Sequence, residues 1–243
     1  MFTTTNPATG ATVADHEAHD DRAVEDRLAR AAETFDAWRD ERIEDRTTLA
    51  ARLADALRAD ADRYAALITR EMGKPITQAR AEIEKCAWLC EYYAERAPEQ
   101  LQDERIGTEP GARTFVTYEP LGPVVAVMPW NYPFWQVFRF AVPALTAGNV
   151  AVCKHSPTTM GCGEAIAEVF AEAGYPAGAF QTLRVETDRV ADVIADDRVA
   201  AVTLTGSTAA GRSVASVAGR ELKKTVLELG GSDPYVVLDD ADV

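Results

Sequence analysis

Two polar side chains in the second half of the chain have the chemistry of catalytic groups. Asn131 follows the apolar run Val124–Met128, between two prolines, and its amide can donate two N–H groups to a reacting oxygen. Glu228 lies inside the apolar run Thr225–Leu229, where a carboxylate is costly to bury in its charged form and can serve as a general base. The alternatives are a turn asparagine that caps a helix and a glutamate in a structural ion pair.

Two further turns have the features of nucleotide-binding turns. Lys154 follows the run Val150–Cys153. Two residues later Ser156, which precedes a proline, is a good cap for the helix predicted from Pro157. A lysine beside a helix start suits the hydroxyls and phosphates of a nucleotide, although a solvated surface lysine is the alternative. Gly206 and Ser207 begin another helix, where backbone N–H groups and a hydroxyl can face a phosphate.

These residues follow short apolar runs that alternate with helical stretches. The predicted strands are Val124–Met128, Val150–Cys153, Phe180–Val185, Ala201–Leu204, Thr225–Leu229 and Tyr235–Leu238. The predicted helices between them are Pro133–Ala147, Pro157–Ala173, Asp188–Ala195 and Ser207–Ala218. Buried strands that alternate with helices predict an α/β fold with a doubly wound parallel sheet, whose ligands bind at the carboxyl ends of the strands.

The first hundred residues have a helical pattern and predict a helical layer in front of the sheet. Apolar residues from Leu49 to Ile68 recur at helical spacing, and Gly73 and Pro75 end that helix. A further helix is predicted from Thr77 to Ala97, before Pro98. Residues 113–120 have the pattern of a strand.

The 243-residue chain is acidic, with 39 Asp and Glu, 25 Lys and Arg and a formal net charge of −14. Such a surface repels nucleic-acid phosphates and anionic membranes, so we predict neither as a partner. An acid excess with only five lysines is typical of a halophilic protein, because counterions at high salt screen the self-repulsion. An acidic protein of an ordinary-salt host is the alternative, and stable folding without added salt would favour it.

No targeting or membrane segment is predicted, so we expect a cytoplasmic protein. Four cysteines in a chain of this length do not form a disulfide framework. Their positions predict buried packing residues and no metal site, and they are Cys86, Cys90, Cys153 and Cys162. The histidines are assigned no catalytic role, and they are His16, His19 and His155.

Taken in chain order, these motifs resemble the aldehyde dehydrogenase superfamily. Pro-Trp-Asn-Tyr-Pro, Lys154, Thr-Gly-Ser-Thr and Leu-Glu-Leu-Gly-Gly follow one another in that family's order and at similar spacing. Asn-Pro-Ala-Thr-Gly at 6–10 and Glu-Met-Gly-Lys-Pro at 71–75 are also similar. The resemblance covers essentially the whole chain. It implies that residues 1–243 are the Rossmann-like nucleotide-binding part of an NAD(P)-dependent enzyme.

The resemblance implies a role for each matching residue at the cofactor. Lys154, with Ser156 beside it, matches the lysine that holds the adenosine ribose, and Gly206 and Ser207 match the turn at the pyrophosphate. Trp130 matches a residue that lines the cofactor cleft. Many NAD-preferring relatives carry a glutamate three residues after the ribose lysine, where this chain has a proline. The expected cofactor is therefore NAD or NADP.

For the chemistry, the resemblance implies that Asn131 stabilises the oxygen of the reacting aldehyde and that Glu228 is the general base. Lys-His-Ser-Pro at 154–157, Met-Gly-Cys at 160–162 and Leu-Glu-Leu-Gly-Gly-Ser-Asp-Pro at 227–234 are similar to one branch of succinate-semialdehyde dehydrogenases. In that branch an arginine eight residues after the asparagine pairs with the substrate carboxylate. Arg139 has that position here, in an apolar helix where a guanidinium is costly unless paired. A helix arginine paired with a neighbouring acid is the alternative.

The resemblance also places the nucleophilic cysteine a few dozen residues beyond Leu-Glu-Leu-Gly-Gly, whereas this chain ends at Val243. We therefore expect the complete enzyme to oxidise an aldehyde, with succinate semialdehyde as the expected substrate. We expect this chain alone to be inactive. A truncated, non-catalytic nucleotide-binding fragment is the alternative. Residues 102–120 resemble the family's oligomerisation strands, so a homo-oligomer is expected of the complete protein.

Overall fold

The computed structural model describes residues 1–107 and 112–242, and its elements alternate in the second half of the chain as the sequence predicts. The strands are β1 (Phe2–Thr5), β2 (Thr12–His16), β3 (Glu104–Ile106), β4 (Thr114–Val116), β5 (Pro123–Val127), β6 (Val150–Lys154), β7 (Phe180–Thr182), β8 (Ala201–Thr205) and β9 (Lys224–Glu228). The helices are α1 (Asp21–Trp38), α2 (Ile43–Ala59), α3 (Ala61–Met72), α4 (Ile76–Gln100), α5 (Trp135–Thr146), α6 (Met160–Glu172), α7 (Val190–Ala195) and α8 (Thr208–Arg220). Short 3₁₀ helices at Pro157–Thr159 and Thr187–Arg189 precede α6 and α7.

Strands β5 to β9 form one parallel sheet in the order β7-β6-β5-β8-β9. The chain runs outward from the central strand β5 to β6 and β7, then returns to the other side of β5 to add β8 and β9. The two halves are wound in opposite directions, which confirms the predicted doubly wound α/β fold. In such a sheet a crevice opens at the carboxyl ends of the strands where the direction reverses, here β5 and β8.

Helices cover both faces of this sheet. Successive side chains of a strand point to opposite faces. Val124 and Thr203 line one cavity together with residues of α5, whereas Val127 and Leu204 line another with residues of α7 and α8. Helices α2, α3 and α4 pack in turn on α5 and α6. This arrangement confirms the predicted N-terminal helical layer.

The core beside the sheet is built around stacked aromatic rings. The ring centroids of Phe138 and Phe170 are 5.5 Å apart, and those of Phe170 and Phe180 are 4.5 Å apart. Trp38 of α1 donates its ring N–H to the carbonyl of Leu145 at 3.0 Å. Full burial of one such ring stabilises the fold by about 1.5–3 kcal/mol. These contacts fix α5, which follows the carboxyl end of β5, against its neighbours in the core.

The N-terminal helices differ from the prediction at two points. The predicted helix from Leu49 to Ile68 is two helices, because Asp60 between them leaves helical geometry with φ −116° and ψ 22°. Helix α4 does not end before Pro98 but continues to Gln100. Pro98 lies in its last turn, where the lost backbone hydrogen bond costs little because few turns follow. The predicted stop at Gly73 is confirmed, with Gly73 in the left-handed conformation.

Several strands also differ from the prediction. The antiparallel pair β1–β2 at the amino terminus was not predicted, and the predicted strand over 113–120 reduces to β4, which pairs with β3. Of the segment 102–120, residues 108–111 lie outside the described residues. The run Tyr235–Leu238 is exposed and forms no strand in the described part of the chain. It lies beyond β9, the last strand of the sheet, and has no backbone ladder to join.

Candidate active site and nucleotide cleft

A cavity of about 410 Å³ opens at the carboxyl ends of β5, β8 and β9. Its walls bring together five residues that the sequence analysis selected, namely Trp130, Asn131, Arg139, Gly206 and Glu228. Four of them lie at three strand ends that are far apart in the chain but adjacent in the sheet, and Arg139 lies on α5. The crevice at the reversal of strand order is therefore where the predicted catalytic and substrate-binding residues meet.

Asn131 presents its amide to this cavity from the loop that follows β5. Its Oδ1 accepts a hydrogen bond from the backbone N–H of Tyr132 at 3.1 Å. The side-chain NH2 makes no hydrogen bond within the described residues, and it can donate to a ligand oxygen. Asn131 does not cap α5, because that position belongs to Phe134. The geometry thus favours the oxyanion interpretation over the capping alternative.

Glu228 and Arg139 face each other across the cavity. The distance between Arg139 Nη1 and Glu228 Oε2 is 3.9 Å, and Arg139 Nη2 donates to the Thr205 hydroxyl at 3.4 Å. The side chains are 38% and 55% exposed, respectively. The predicted burial of Glu228 is therefore wrong in this chain. β9 is an edge strand, and on the face of Glu228 a groove separates it from α5, so the carboxylate stays accessible to solvent.

A second cleft, of about 460 Å³, lies between the ends of β6 and β8 and helices α7 and α8. Lys154 lines it and is only 6% exposed. This lysine forms no salt bridge within the described residues, and its burial lowers the pKa of the ammonium group. A buried ammonium without an ion pair fits a ligand that brings hydroxyl or phosphate oxygens. Lys154 therefore lies in the wall of a cleft, and its role at a ribose stays a prediction.

The turn at Gly206 and Ser207 lies between the two cavities. Ser207 caps α8, and its hydroxyl accepts from the N–H of Ala210 at 3.2 Å, as predicted. The N–H of Gly206 is not free for a phosphate, since it donates to the carbonyl of Glu228 at 3.0 Å. The first turn of α8 still presents unpaired backbone N–H groups and the positive end of the helix dipole. An extended ligand could thus span both cavities across this turn.

Ser156 caps a helix, as predicted, but it does not lie beside Lys154 in the second cleft. Its hydroxyl accepts from the N–H of Thr158 at 3.3 Å and caps the 3₁₀ helix before α6. It lines neither cavity. The structure adds residues that the sequence analysis missed. Thr205 and Gln136 line the first cavity, and Asp188 lines the second. Both Thr205 and Asp188 had a usable signal. Thr205 follows a predicted strand beside the Gly-Ser turn, and Asp188 begins the helix predicted after the run Phe180–Val185.

Buried polar groups lie directly beneath the loop that carries Asn131, and the sequence analysis missed them too. Lys74 and Glu82 form a buried ion pair under the start of α5. His155 is fully buried and contacts the carbonyl of Pro133 and the hydroxyl of Thr159. The partner of His155 is not evident from the sequence, because the hydroxyl of Thr159 one turn away is recognisable only once the helix start is known.

The cysteines are buried, as predicted. Burial raises the pKa of each thiol, that of Cys153 to about 12, so the reactive thiolate is disfavoured at all four positions. Within residues 1–107 and 112–242 no cluster of His, Cys, Asp and Glu could hold a metal ion. In the same ranges no helix is long and apolar enough to cross a membrane.

Comparison with known proteins gives consistent matches along the whole chain. A family model described as "Aldehyde dehydrogenase family" matches residues 1–243. A probable succinate-semialdehyde dehydrogenase (NADP(+)) of Synechocystis sp. is 52% identical over 240 residues, which are 99% of this chain and 53% of that protein. The succinate semialdehyde dehydrogenase (NAD(P)+) Sad of Escherichia coli is 48% identical, over 98% of this chain and 51% of that protein.

Among solved structures, the succinic semialdehyde dehydrogenase of Streptococcus pyogenes in complex with NADP+ superposes with a TM-score of 0.95 at 37% identity. The match covers 100% of this chain and 53% of that one. The chain thus spans about half the length of the relatives that it matches.

Proposed function

The chain belongs to the aldehyde dehydrogenase family, and we propose that it is the cofactor-binding half of an enzyme that oxidises succinate semialdehyde to succinate with NAD or NADP. The proposal assigns substrate binding to Arg139, catalysis to Asn131 and Glu228, and cofactor binding to the second cleft. It is supported by the names of the relatives and by one observation in particular. Arg139 places a guanidinium in the same cavity as Asn131 and Glu228.

A guanidinium in this cavity selects a substrate with a second negative charge. Arg139 makes one long contact with Glu228 and one weak hydrogen bond with Thr205. Its remaining N–H donors are unpaired within the described residues, in a fork that matches a carboxylate. Succinate semialdehyde carries a carboxylate at the end opposite its aldehyde, whereas a simple aldehyde has no group for this arginine.

The second cleft fits the cofactor. Its buried, unpaired Lys154 would hold ribose hydroxyls, and the amino end of α8 at Ser207 would face the pyrophosphate. Trp130, exposed beside Asn131, would line the nicotinamide end. When bound, NAD or NADP supplies the hydride acceptor. Pro157 stands three residues after Lys154, where many NAD-preferring relatives carry a glutamate, so that carboxylate is not there to repel the 2′-phosphate of NADP.

Within this frame the chain's own residues orient the aldehyde and manage its charge. Arg139 holds the distal carboxylate, and the NH2 group of Asn131 donates to the aldehyde oxygen, on which negative charge develops. Glu228, at the carboxyl end of β9, can accept a proton from a nucleophile or a water in the same cavity. None of the four described cysteines lies in the cavity, so we propose that this chain alone is inactive.

The test is a kinetic comparison in the complete enzyme. Arg139→Ala should raise the KM for succinate semialdehyde by roughly tenfold to a hundredfold, since a hydrogen bond to a charged group contributes about 1.5–3 kcal/mol. The KM for a neutral aldehyde of similar length should not change. Arg139→Lys keeps the positive charge but not the two-pronged guanidinium, so its KM for succinate semialdehyde should lie between those of the wild type and Arg139→Ala. An equal rise for both aldehydes would mean that Arg139 only pairs with Glu228 and would refute the proposal.

A non-catalytic nucleotide-binding fragment is the second candidate, and the length of the relatives favours it as a description of this chain in isolation. The intact mass of the protein from its own source separates the two. A mass near 26.4 kDa would support the fragment. A mass about twice as large would support the complete enzyme, and the aldehyde assays would follow.

A further inference from the structure

The loop of residues 129–133, here called the Asn131 loop, rests on buried charged and polar groups to which the motifs assign no role in the active site. We propose that Glu82, with Lys74 and His155, forms a clasp that positions this loop and acts on the reaction through Asn131. The inference rests on the proposed function, because it takes Asn131 as the group that touches the substrate oxygen. It assigns positioning roles, not catalytic ones.

Glu82 grips the start of α5 from a distant helix. Its Oε1 accepts hydrogen bonds from the backbone N–H groups of Phe134 at 2.9 Å and Trp135 at 3.0 Å. Phe134 lies 52 positions away in the sequence and has no cap from its own segment. Glu82 is almost fully buried. A buried carboxylate that accepts two amides at a helix start holds them by charge-assisted hydrogen bonds, which are shorter and stronger than neutral ones.

Lys74 completes the grip on the carboxylate and extends it into the loop. Its ammonium pairs with Glu82 Oε2 and lies 3.5 Å from the ring centroid of Tyr132. A desolvated cation over an aromatic face contributes up to about 2 kcal/mol. Tyr132 directly follows Asn131 in the chain. The same ion pair therefore holds the loop both at the ring of Tyr132 and at the amides that follow it.

His155 fixes the loop from the other side. Its Nε2–H donates to the carbonyl of Pro133 at 2.9 Å, and its Nδ1 accepts from the hydroxyl of Thr159 at 3.2 Å. Burial lowers the pKa of this imidazole and so favours the neutral ring, with Nε2 as the donor and Nδ1 as the acceptor. His155 follows Lys154 in the chain. It therefore ties the loop of the catalytic amide to the strand end that carries the candidate ribose lysine.

These contacts matter for Asn131 because its own side chain has little support. The one described hydrogen bond of its amide is the contact with the N–H of Tyr132. The position of the amide is therefore inherited from the backbone at Tyr132, Pro133 and Phe134, where the clasp is attached. A misplacement of about 1 Å at a reacting group can cost on the order of 100-fold in rate.

Glu71 is a matched control within the same helical layer. It is as deeply buried as Glu82, and its carboxylate accepts from the N–H of Gly161 at 3.0 Å and of Cys162 at 2.9 Å. It thus performs the same structural task at the start of α6, which carries none of the candidate catalytic residues. A variant at this position measures what the loss of a buried helix-capping carboxylate does by itself.

The experiment is a double-mutant cycle in the complete enzyme. Glu82→Gln should lower kcat by roughly tenfold, as expected for a displaced but present donor, and should leave the Kd for the cofactor unchanged. In the Asn131→Ala background the same change should have no further effect on kcat, because Glu82 acts through Asn131. Glu71→Gln should lower Tm but not kcat in either background. If Glu82→Gln does not fold, Lys74→Met is the second variant and should show the same coupling.

Additive effects of Glu82→Gln and Asn131→Ala would overturn the proposal, as would an equal loss of kcat in Glu71→Gln. Hydrogen exchange of the backbone amides, measured on the complete enzyme without substrate, tests the clasp without turnover. Glu82→Gln should speed exchange at Phe134 and Trp135 by about tenfold or more, whereas Glu71→Gln should not. Unchanged exchange would overturn the clasp. A wild-type enzyme that oxidises no aldehyde would refute the proposed function and leave the exchange result standing.

Discussion

The carboxyl ends of β5 and β6 differ sharply from those of β8 and β9, although both contribute to the same crevice. At β5 and β6 the loops are held by buried groups of the N-terminal helices and by His155. At β9 the outward face is open, with Glu228 more than half exposed and Val226 62% exposed. The motifs at the two places are equally recognisable in the sequence. How rigidly a site is held therefore depends on the residues that pack against its motif.

The largest test of this difference replaces one glutamate in each region. Glu82→Ala removes the partner of buried Lys74 and of two amides, and should destabilise the chain by about 3–5 kcal/mol, enough to prevent folding at moderate temperature. Glu228→Ala removes an exposed carboxylate and should change the free energy of unfolding by about 0.5 kcal/mol or less. Urea denaturation of both variants gives the comparison. Similar losses would show that the two regions are supported alike.

A pair of glycine substitutions probes the packing in the same way. A Cβ at Gly163 would lie 2.9 Å from the Cβ of His155, so Gly163→Ala should push against the clasp and cost about 1–3 kcal/mol. A Cβ at Gly219, in α8 beside β9, would meet nothing within 4 Å. Gly219→Ala should therefore stabilise the helix by up to about 1 kcal/mol. Thermal unfolding should show opposite shifts of Tm, and shifts of the same sign would contradict the comparison.

The clasp should also make stability depend on pH. Burial lowers the pKa of His155, so folding favours its neutral form; the stabilisation is complete above the unfolded pKa of about 6.5 and is lost as the pH falls towards the folded value. Tm should decline between pH 7 and 5, with a shift of about 2–4 °C for each kcal/mol. His155→Gln should flatten this decline.

The part of the decline that remains should come from His19, whose pKa is lowered to about 4 by burial and then by Arg27 and Arg184. A decline as steep in His155→Gln as in the wild type would remove His155 as its source. No histidine lies in β8 or β9, so charge changes there should not affect this pH range.

The smallest effect is expected on the open face. Val226, Leu229 and the apolar groove of about 610 Å³ beside α5 leave hydrophobic surface in contact with water. Val226→Lys should leave Tm within about 2 °C, since exposed substitutions change stability little. It should reduce self-association, measured by sedimentation at increasing concentration, because it breaks the apolar patch. Unaltered self-association would show that another surface of the molecule is responsible for it.

Local signals predicted the sheet and the helix starts well. The strands β5, β6, β8 and β9 follow from apolar runs, and the caps at Ser156 and Ser207 follow from short-range hydrogen bonding. Contacts between distant segments were not predictable in this way. In the sequence, Lys74 of the turn between α3 and α4 and Glu82 of α4 look like ordinary solvent-exposed charges. Only the packing of α4 on α5 places them beneath the Asn131 loop.

The exposure of Glu228 and the failure of Tyr235–Leu238 to form a strand have a common cause. Both segments have the composition of buried strands, but burial depends on neighbours that a local pattern does not contain. β9 is hydrogen-bonded on one side only, and the segment beyond it has no strand to pair with in the described part of the chain. Their sequence predicts a tendency to form buried strands, and the tertiary surroundings decide whether they become buried.

The position of β5 at the centre of the sheet has a consequence for biosynthesis. Val124 of β5 pairs with Ala151 of β6 soon after both are made, but its other partner, Ala201 of β8, leaves the ribosome much later. Until then the most apolar strand of the molecule has an unpaired edge, which can join with a strand of another chain. Pauses in translation between β7 and β8 should therefore promote aggregation, whereas pauses after β8 should not.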